Sequence, residues 1–216
     1  MPTQTITFES EDGLRLEGRL ALPDDETPRA GVVLCHPHPQ YGGSMSSKLV
    51  PALQRALVSA GWAALRFNFR GVGRSEGSFD GGDGEVADVL GALARVRKVV
   101  VDPTSVVGWS FGALVALNAV ARDGAVSSYA GVAPPVRRAL TGKMALPQVA
   151  DLDRWSARSL LVCGTEDPFC RPADAEELAR QLPPPTVVRV VPGADHFFEG
   201  SVDELCSIVV DFVAGG

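Results

Sequence analysis

The chain has 216 residues, of which 45% are hydrophobic and 21% charged, and this composition predicts a globular domain rather than a disordered segment. Its formal net charge of −6 provides no basic surface for the phosphate backbone, so no nucleic-acid partner is expected. No stretch reaches the roughly 18 to 20 consecutive apolar residues of a membrane-spanning helix, and the first residues lack the basic and apolar regions of a signal peptide. We therefore expect a cytoplasmic protein without a membrane partner.

Apolar residues alternate with polar ones between Ile6 and Leu22, on either side of Asp12-Gly13. Alternation is typical of a strand with one buried face, and Asp-Gly is a frequent hairpin turn. The chain is therefore predicted to open with two antiparallel strands.

After residues 23–28 the pattern changes to short apolar runs separated by stretches with helical periodicity, which is typical of a parallel sheet covered on both faces. The runs predicted as strands are 31–35, 62–69, 105–109, 129–133, 159–163 and 187–191. Together with the hairpin they predict a mixed α/β sheet of about eight strands in a single domain over residues 1–216.

Helical periodicity predicts the elements between these strands. The predicted helices cover residues 49–60, 86–96, 111–122, 172–182 and the residues from Ser201 onward. Gly61 is expected to end the first helix, and Glu204 to complete a capping box with Ser201. The segment 134–158 has the weakest pattern and is too short to form a separate lid domain.

The strongest local signal is the sequence Gly108-Trp109-Ser110-Phe111-Gly112 between a predicted strand and a predicted helix. In that context G-x-S-x-G is typical of a nucleophile elbow, in which the serine occupies a strained turn. The flanking positions are glycines because neighbouring elements come close to the turn. Ser110 is the predicted nucleophile, and an ordinary tight turn is the alternative interpretation.

A serine hydroxyl requires a general base at neutral pH, and the base requires a carboxylate that fixes its tautomer. His196 is the candidate base because it follows the last predicted strand, at the sheet edge where the elbow also lies. Asp167 follows the strand 159–163 and is the predicted acid, with Glu166 as the alternative. Asp195 adjoins the histidine in sequence and is poorly placed to reach its ring.

The order Ser110, Asp167, His196, with the elbow, the strand pattern and the opening hairpin, resembles the α/β-hydrolase superfamily over essentially the whole chain. The chain looks most like small, lidless bacterial hydrolases with His-Pro-His-Pro after the third strand and Asn-Phe-Arg-Gly-x-Gly-x-Ser-x-Gly after the fourth. These motifs lie here at residues 36–39 and 68–77. The resemblance implies an esterase-like activity but does not identify its substrate; the expected partner is a small-molecule ester or related acyl substrate. The sequence departs from many lipases in lacking a His-Gly-Gly-Gly motif and an inserted cap.

An oxyanion hole requires two backbone N–H donors, and one is expected from Phe111, the residue after the nucleophile. The other is expected in the loop after the third strand, where Pro37 and Pro39 have no N–H. His38 is predicted by analogy with the His-Gly-x arrangement. If the loop bulges, the alternatives are Gln40, Tyr41 and Gly42.

Two other kinds of site are disfavoured. His36 and His38 form an H-x-H pair of the kind found in some metal sites, but about three protein ligands are needed and His196 is the only further histidine, so no metal is predicted. His36 is interpreted instead as a residue that orders its loop. The glycines of 71–77 resemble a dinucleotide fingerprint, yet three residues separate Gly73 from Gly77 where two are required.

Aromatic residues predicted at the same sheet edge suit an acyl chain or an aromatic ester. The pocket candidates are Tyr41, Trp109, Phe169 and Phe197. Arg70 and Arg74 are alternatives for contacting a substrate carboxylate. The predicted function is hydrolysis of carboxylic esters with a small or medium acyl chain, without a cofactor, because water completes the reaction. Thioesterase, acyltransferase or peptidase activity, or a non-catalytic binding protein, are the alternatives, and the oligomeric state is left open.

Overall fold

The computed structural model describes residues 3–24, 27–101, 103–136, 152 and 155–215. The strands are β1 (Thr3–Glu9), β2 (Arg15–Ala21), β3 (Gly31–Cys35), β4 (Ala63–Phe67), β5 (Thr104–Trp109), β6 (Ser128–Val132), β7 (Arg158–Gly164) and β8 (Thr186–Val191). The helices of the described residues are α1 (Leu49–Ser59), α2 (Asp83–Val96), α3 (Phe111–Arg122), α4 (Pro172–Gln181) and α5 (Val202–Val213).

The eight strands form one sheet in the order β1-β2-β4-β3-β5-β6-β7-β8. Strands β3 to β8 run parallel, while β2 pairs antiparallel with both β1 and β4. The predicted mixed sheet with an antiparallel hairpin at its start is therefore confirmed. Because the carboxyl ends of parallel strands meet at one edge, the loops that follow β3, β5, β7 and β8 lie near one another.

The hairpin has a longer connection than the Asp-Gly pair alone indicates. Glu9 pairs with Arg15, so residues 10–14 form the turn, and the N–H of Ser10 donates to the carbonyl oxygen of Leu14 at 2.8 Å. The Ser10 hydroxyl accepts from the Leu14 N–H at the same distance. Gly13 has a φ of 90°, which explains why a glycine occupies the turn.

The core lies on both faces of the central strands. Every residue of β3, β4, β5 and β6 is buried, which explains why these strands read as continuous apolar runs. Helix α1 packs against α5, and α2 packs against α3. Within the described ranges, each helix is too short or too polar to cross a bilayer.

The predicted capping box of the last helix is wrong. Ser201 stands at the N-cap of α5, but its side chain makes no capping hydrogen bond. Its φ of −120° and ψ of 17° differ from the extended conformation in which a serine hydroxyl reaches the next turn. The helix instead continues from a turn in which the Ser201 N–H donates to the carbonyl oxygen of Phe198. Most of the weakly patterned segment 134–158 lies outside the described residues. The prediction that this segment forms no separate lid domain therefore concerns residues outside the described part of the chain.

Candidate active site

Ser110 occupies a strained turn between β5 and α3. Its φ of 56° and ψ of −123° are uncommon for a residue with a side chain, and such strain concentrates at functional sites. The N–H of Ser110 donates to the carbonyl oxygen of Val132 at 2.8 Å, and the helix begins at the next residue. The turn places a partly exposed hydroxyl at the carboxyl edge of the sheet.

The two glycines of the elbow are required by close backbone packing. A Cβ on Gly112 would lie 2.4 Å from the carbonyl oxygen of His36 and 2.6 Å from that of Cys35. A Cβ on Gly108 would lie 2.3 Å from the carbonyl oxygen of Gly112. The elbow therefore touches the end of β3, which brings the loop after β3 beside Ser110.

We expect Gly112→Ala to lower the free energy of unfolding by about 1–3 kcal/mol, because its methyl group collides with backbone that has nowhere to move. It should also lower the rate of the ester hydrolysis predicted from the sequence, since the displaced backbone carries the loop after β3. Urea denaturation and ester hydrolysis measure the two effects. Gly13→Ala, in the hairpin turn, should lose stability through its positive φ alone and keep its activity. A Gly112→Ala protein as stable and active as the parent contradicts this packing.

The three residues predicted as a triad form a continuous hydrogen-bonded chain. His196 Nε2 lies 3.0 Å from Ser110 Oγ, and His196 Nδ1 lies 2.8 Å from Asp167 Oδ2. The side chains of Asp167 and His196 are buried, while that of Ser110 is partly exposed. The second carboxylate oxygen, Oδ1, accepts hydrogen bonds from the N–H groups of Phe169 at 2.7 Å and Cys170 at 3.0 Å.

The other two carboxylates near the histidine have different partners. Glu166 is exposed, and its Oε1 lies 3.4 Å from the Thr165 hydroxyl. Asp195 Oδ1 accepts from the N–H groups of Phe197 and Glu199, at 3.0 Å each. Asp195 therefore orders the turn after the histidine, and among the described residues the ring nitrogens of His196 contact Ser110 and Asp167.

Trp109 supports the loop that carries His196. Its Nε1–H donates to the carbonyl oxygen of His196 at 3.1 Å, and its ring lies 6.0 Å from that of Phe197. Only 4% of Trp109 is exposed, so it offers a substrate little surface. The structure thus places this pocket candidate as a support for His196.

The loop after β3 uses most of its N–H groups internally. Gln40 N–H donates to His38 Nδ1 at 3.2 Å, Tyr41 N–H to the His38 carbonyl oxygen at 3.1 Å, and Gly42 N–H to that of Pro39 at 3.1 Å. Among the described residues, the backbone N–H groups of His38 and Phe111 have no acceptor. Of the loop donors considered, His38 is thus the one left available, and Gln40, Tyr41 and Gly42 are engaged.

The buried ring of His36 fixes the peptide that carries the His38 N–H. Its Nε2 accepts from the Phe69 N–H at 3.1 Å, so the proton of the neutral ring is on Nδ1, which donates to the Pro37 carbonyl oxygen at 2.6 Å. That carbonyl and the His38 N–H belong to one planar peptide unit. His36 therefore orders the loop, as interpreted from the sequence, and both of its nitrogens are occupied. Within the described ranges, no group of three metal-binding side chains occurs.

Burial lowers the pKa of His36 to about 4, against about 6.5 for an exposed histidine. Between these values the unfolded chain binds the extra proton, so the contribution of His36 to stability is complete above pH 6.5 and is lost as the pH falls towards 4. The loss amounts to about 3 kcal/mol at most. We expect the free energy of unfolding, measured in urea, to fall more steeply over this range in the parent than in His36→Gln. Equal pH slopes would show that His36 titrates normally.

Aromatic surfaces flank the site on two sides. The His38 ring lies 4.8 Å from each of the rings of Tyr41, Phe79 and Phe111. The His196 ring lies 4.9 Å from Phe169 and 5.5 Å from Phe197. Tyr41 is 88% exposed, Phe169 39% and Phe197 52%, so three of the four pocket candidates have surface to offer. Phe79 was not predicted, and its only sequence signal was its position just after the 68–77 motif.

Arg70 is unavailable to a substrate carboxylate. It is buried, and its guanidinium pairs with Asp88 at 2.8 Å and Asp12 at 2.9 Å. These pairs tie the 68–77 loop to α2 and to the hairpin turn. Arg74 is exposed, and its N–H donates to Glu17 Oε2 at 2.9 Å.

The comparisons with known proteins agree with this architecture. A family model described as the alpha/beta hydrolase fold matches residues 32–158. A serine hydrolase homologue from Coxiella burnetii is 32% identical, covers 98% of this chain and 97% of its own, and superimposes with a TM-score of 0.83. A serine hydrolase without lid from Xanthomonas campestris is 30% identical, with 97% and 93% covered and a TM-score of 0.80. An uncharacterized protein of Rickettsia prowazekii (strain Madrid E) is 31% identical over 96% of this chain and 87% of its own length. The chain belongs to the α/β hydrolase fold family.

Proposed function

We propose that the protein is a serine hydrolase that cleaves carboxylic esters with a small or medium acyl chain. The observation that carries the proposal is the hydrogen-bonded chain from Ser110 Oγ through His196 to Asp167, with separations of 3.0 and 2.8 Å. Nucleophile, base and orienting carboxylate are thus within hydrogen-bonding distance before substrate binds.

In this reaction Ser110 Oγ attacks the ester carbonyl while His196 Nε2 accepts the hydroxyl proton. Asp167 accepts the Nδ1–H of His196, which selects the reactive tautomer and stabilises the imidazolium. His196 then returns the proton to the leaving alcohol, and an acyl-enzyme remains on Ser110. Water hydrolyses that intermediate by the same route, with His196 again as the base.

The negative oxygen of the tetrahedral intermediate is assigned to the backbone N–H groups of Phe111 and His38. Each such donor is worth about 10² to 10³ in kcat when it is preorganised. The close packing of Gly112 on His36 and the His36 hydrogen bond to the Pro37 carbonyl supply that preorganisation.

The aromatic surfaces beside His38 and His196 favour apolar substrate groups over charged ones. Arg70, the buried cation near the site, is already paired with carboxylates of the chain itself. An uncharged ester therefore suits the site better than a substrate carboxylate that would have to bind Arg70.

Hydrolysis of p-nitrophenyl esters with two to twelve acyl carbons tests the proposal, together with labelling by a fluorophosphonate and mass spectrometry. We expect turnover with an optimum at a short or medium acyl chain and a covalent adduct on Ser110. A folded protein that hydrolyses none of these esters and whose Ser110 is inert to the probe is not a serine esterase. Labelling without ester turnover favours a thioester or amide substrate.

A further inference from the structure

The imidazole of His38 carries an N–H that the reaction above does not use. Its Nδ1 accepts the Gln40 N–H at 3.2 Å, so the proton of the neutral ring is on Nε2. Partial burial lowers the pKa of His38 below its ordinary value, which keeps the ring neutral at pH 7. The fixed tautomer therefore presents Nε2 as a hydrogen-bond donor.

This donor has no partner among the described residues. The His38 ring that carries it packs against three aromatic rings, those of Tyr41, Phe79 and Phe111, each with its centroid 4.8 Å from that of His38. A hydrogen bond that a polar N–H makes beside apolar surface is stronger than the same hydrogen bond in open water. When a bound substrate excludes water there, an unpaired donor becomes costly.

The position of His38 places this donor next to the reacting group. Its own backbone N–H and that of Phe111 are the two donors assigned to the carbonyl oxygen. The side-chain donor therefore lies within one side-chain length plus one hydrogen bond of that oxygen. An acceptor on the substrate that reaches it must therefore be separated by only a few bonds from the scissile carbonyl.

The acyl side of the substrate is the side assigned to His38. The leaving alcohol receives its proton from His196 Nε2 and so lies beside His196, whose ring contacts Phe169 and Phe197. The His38 ring contacts a different set of aromatic residues, beside the first residue of α3. The aromatic surface around His196 is thus assigned to the leaving alcohol, and the aromatic surface around His38 to the acyl group.

We propose that His38 Nε2–H binds a second oxygen of the substrate, and that the natural substrates are esters whose acyl group carries an ether, hydroxyl or carbonyl oxygen close to the scissile carbonyl. The inference rests on the proposed function and narrows its substrate class. It also gives a role to the histidine side chain, since any residue except proline supplies the backbone donor.

Pairs of esters with the same shape test the proposal. p-Nitrophenyl methoxyacetate is compared with the butyrate, and the 3-methoxypropanoate with the valerate, so that each pair exchanges one CH₂ for oxygen. The ratio of kcat/KM within each pair is divided by the ratio of their alkaline hydrolysis rates, which removes the intrinsic reactivity. We expect a corrected preference of up to about tenfold for the oxygen-containing ester of at least one pair, the effect of one hydrogen bond.

Two reciprocal variants separate the donor from the loop contact. His38→Asn retains an acceptor for the Gln40 N–H but lacks a donor at the position of His38 Nε2. His38→Gln places an amide N–H near the position of Nε2 but lacks an acceptor at the position of Nδ1. The preference should fall to about one in His38→Asn and persist in His38→Gln. Because each ratio is taken within one variant, a general loss of activity cancels.

Two results overturn the proposal while leaving the esterase intact. One is the absence of any preference in the parent protein, a measurement that needs no variant. The other is an unchanged preference in His38→Asn. Failure of both esters in every pair, with Ser110 inert to a fluorophosphonate, overturns the proposed function and this inference with it.

Discussion

Replacing Ser110 with alanine should lower kcat for p-nitrophenyl esters by several powers of ten, on the order of 10⁶ as found when the serine of another triad is removed. The methyl group cannot form the acyl-enzyme, and neither His196 nor the oxyanion donors supply a nucleophile. The elbow backbone and its hydrogen bond to Val132 are unaffected, so the variant should fold normally. Steady-state kinetics and thermal unfolding measure the two quantities.

A matched serine provides the control for this substitution. Ser207 is exposed on α5, and Ser207→Ala should retain full activity and fluorophosphonate labelling at Ser110. Substantial residual turnover in a folded Ser110→Ala protein contradicts the nucleophile assignment. Ser110→Gly should be equally inactive but more stable than Ser110→Ala by about 1 kcal/mol, because glycine adopts a positive φ without strain.

The fold was predictable because its signals are local. The continuous apolar runs of β3 to β6 are buried on both faces, and each predicted run overlaps the observed strand. The errors lie at the ends of elements, where one hydrogen bond decides the geometry. The Ser10 hydroxyl helps form a longer hairpin turn, and the backbone angles of Ser201 prevent the capping box.

The residues of the elbow and the two loop residues Asp167 and His196 could be selected as candidates because each follows a recognisable strand. Phe79 and the support by Trp109 could not, because they depend on contacts between distant parts of the chain. The Phe79 ring contacts that of His38, and the Trp109 indole donates to the His196 carbonyl oxygen, and in both cases the partners are too far apart in sequence for a local pattern to indicate the contact.

The interpretation of Arg70 failed for the same reason. In the sequence it is one of two arginines in a glycine-rich loop, and loop arginines are usually exposed. In the structure Asp88, eighteen residues later, accepts hydrogen bonds from both its backbone and its side chain. Charged side chains are buried only where such partners exist, and the partner was not evident from the loop.

Both carboxylate oxygens of Asp167 accept hydrogen bonds, and an amide, which has only one oxygen, cannot replace both acceptors. Oδ1 accepts the N–H groups of Phe169 and Cys170, while Oδ2 faces His196 Nδ1 at 2.8 Å. In Asp167→Asn the amide oxygen must stay with the two backbone donors. The NH₂ group then faces His196 Nδ1, which has to become an acceptor, and the ring proton moves to Nε2 beside Ser110. A base already protonated at Nε2 cannot accept the serine proton.

We therefore expect Asp167→Asn to lower kcat by about 10⁴, the size of the effect when the triad aspartate of another enzyme was replaced in this way. KM should change little, since Asp167 is buried and bonded to the Nδ1 side of the His196 ring, away from Ser110. Glu166→Gln and Asp195→Asn are the controls, and both should stay far more active because neither carboxylate contacts the His196 ring. A loss of only about tenfold in Asp167→Asn, with a large loss in Glu166→Gln, would transfer the acid role to Glu166. We expect the larger loss of activity in Asp167→Asn than in Glu166→Gln. The hydrogen bonds from the N–H groups of Phe169 and Cys170 hold Asp167 in place whether or not His196 is charged.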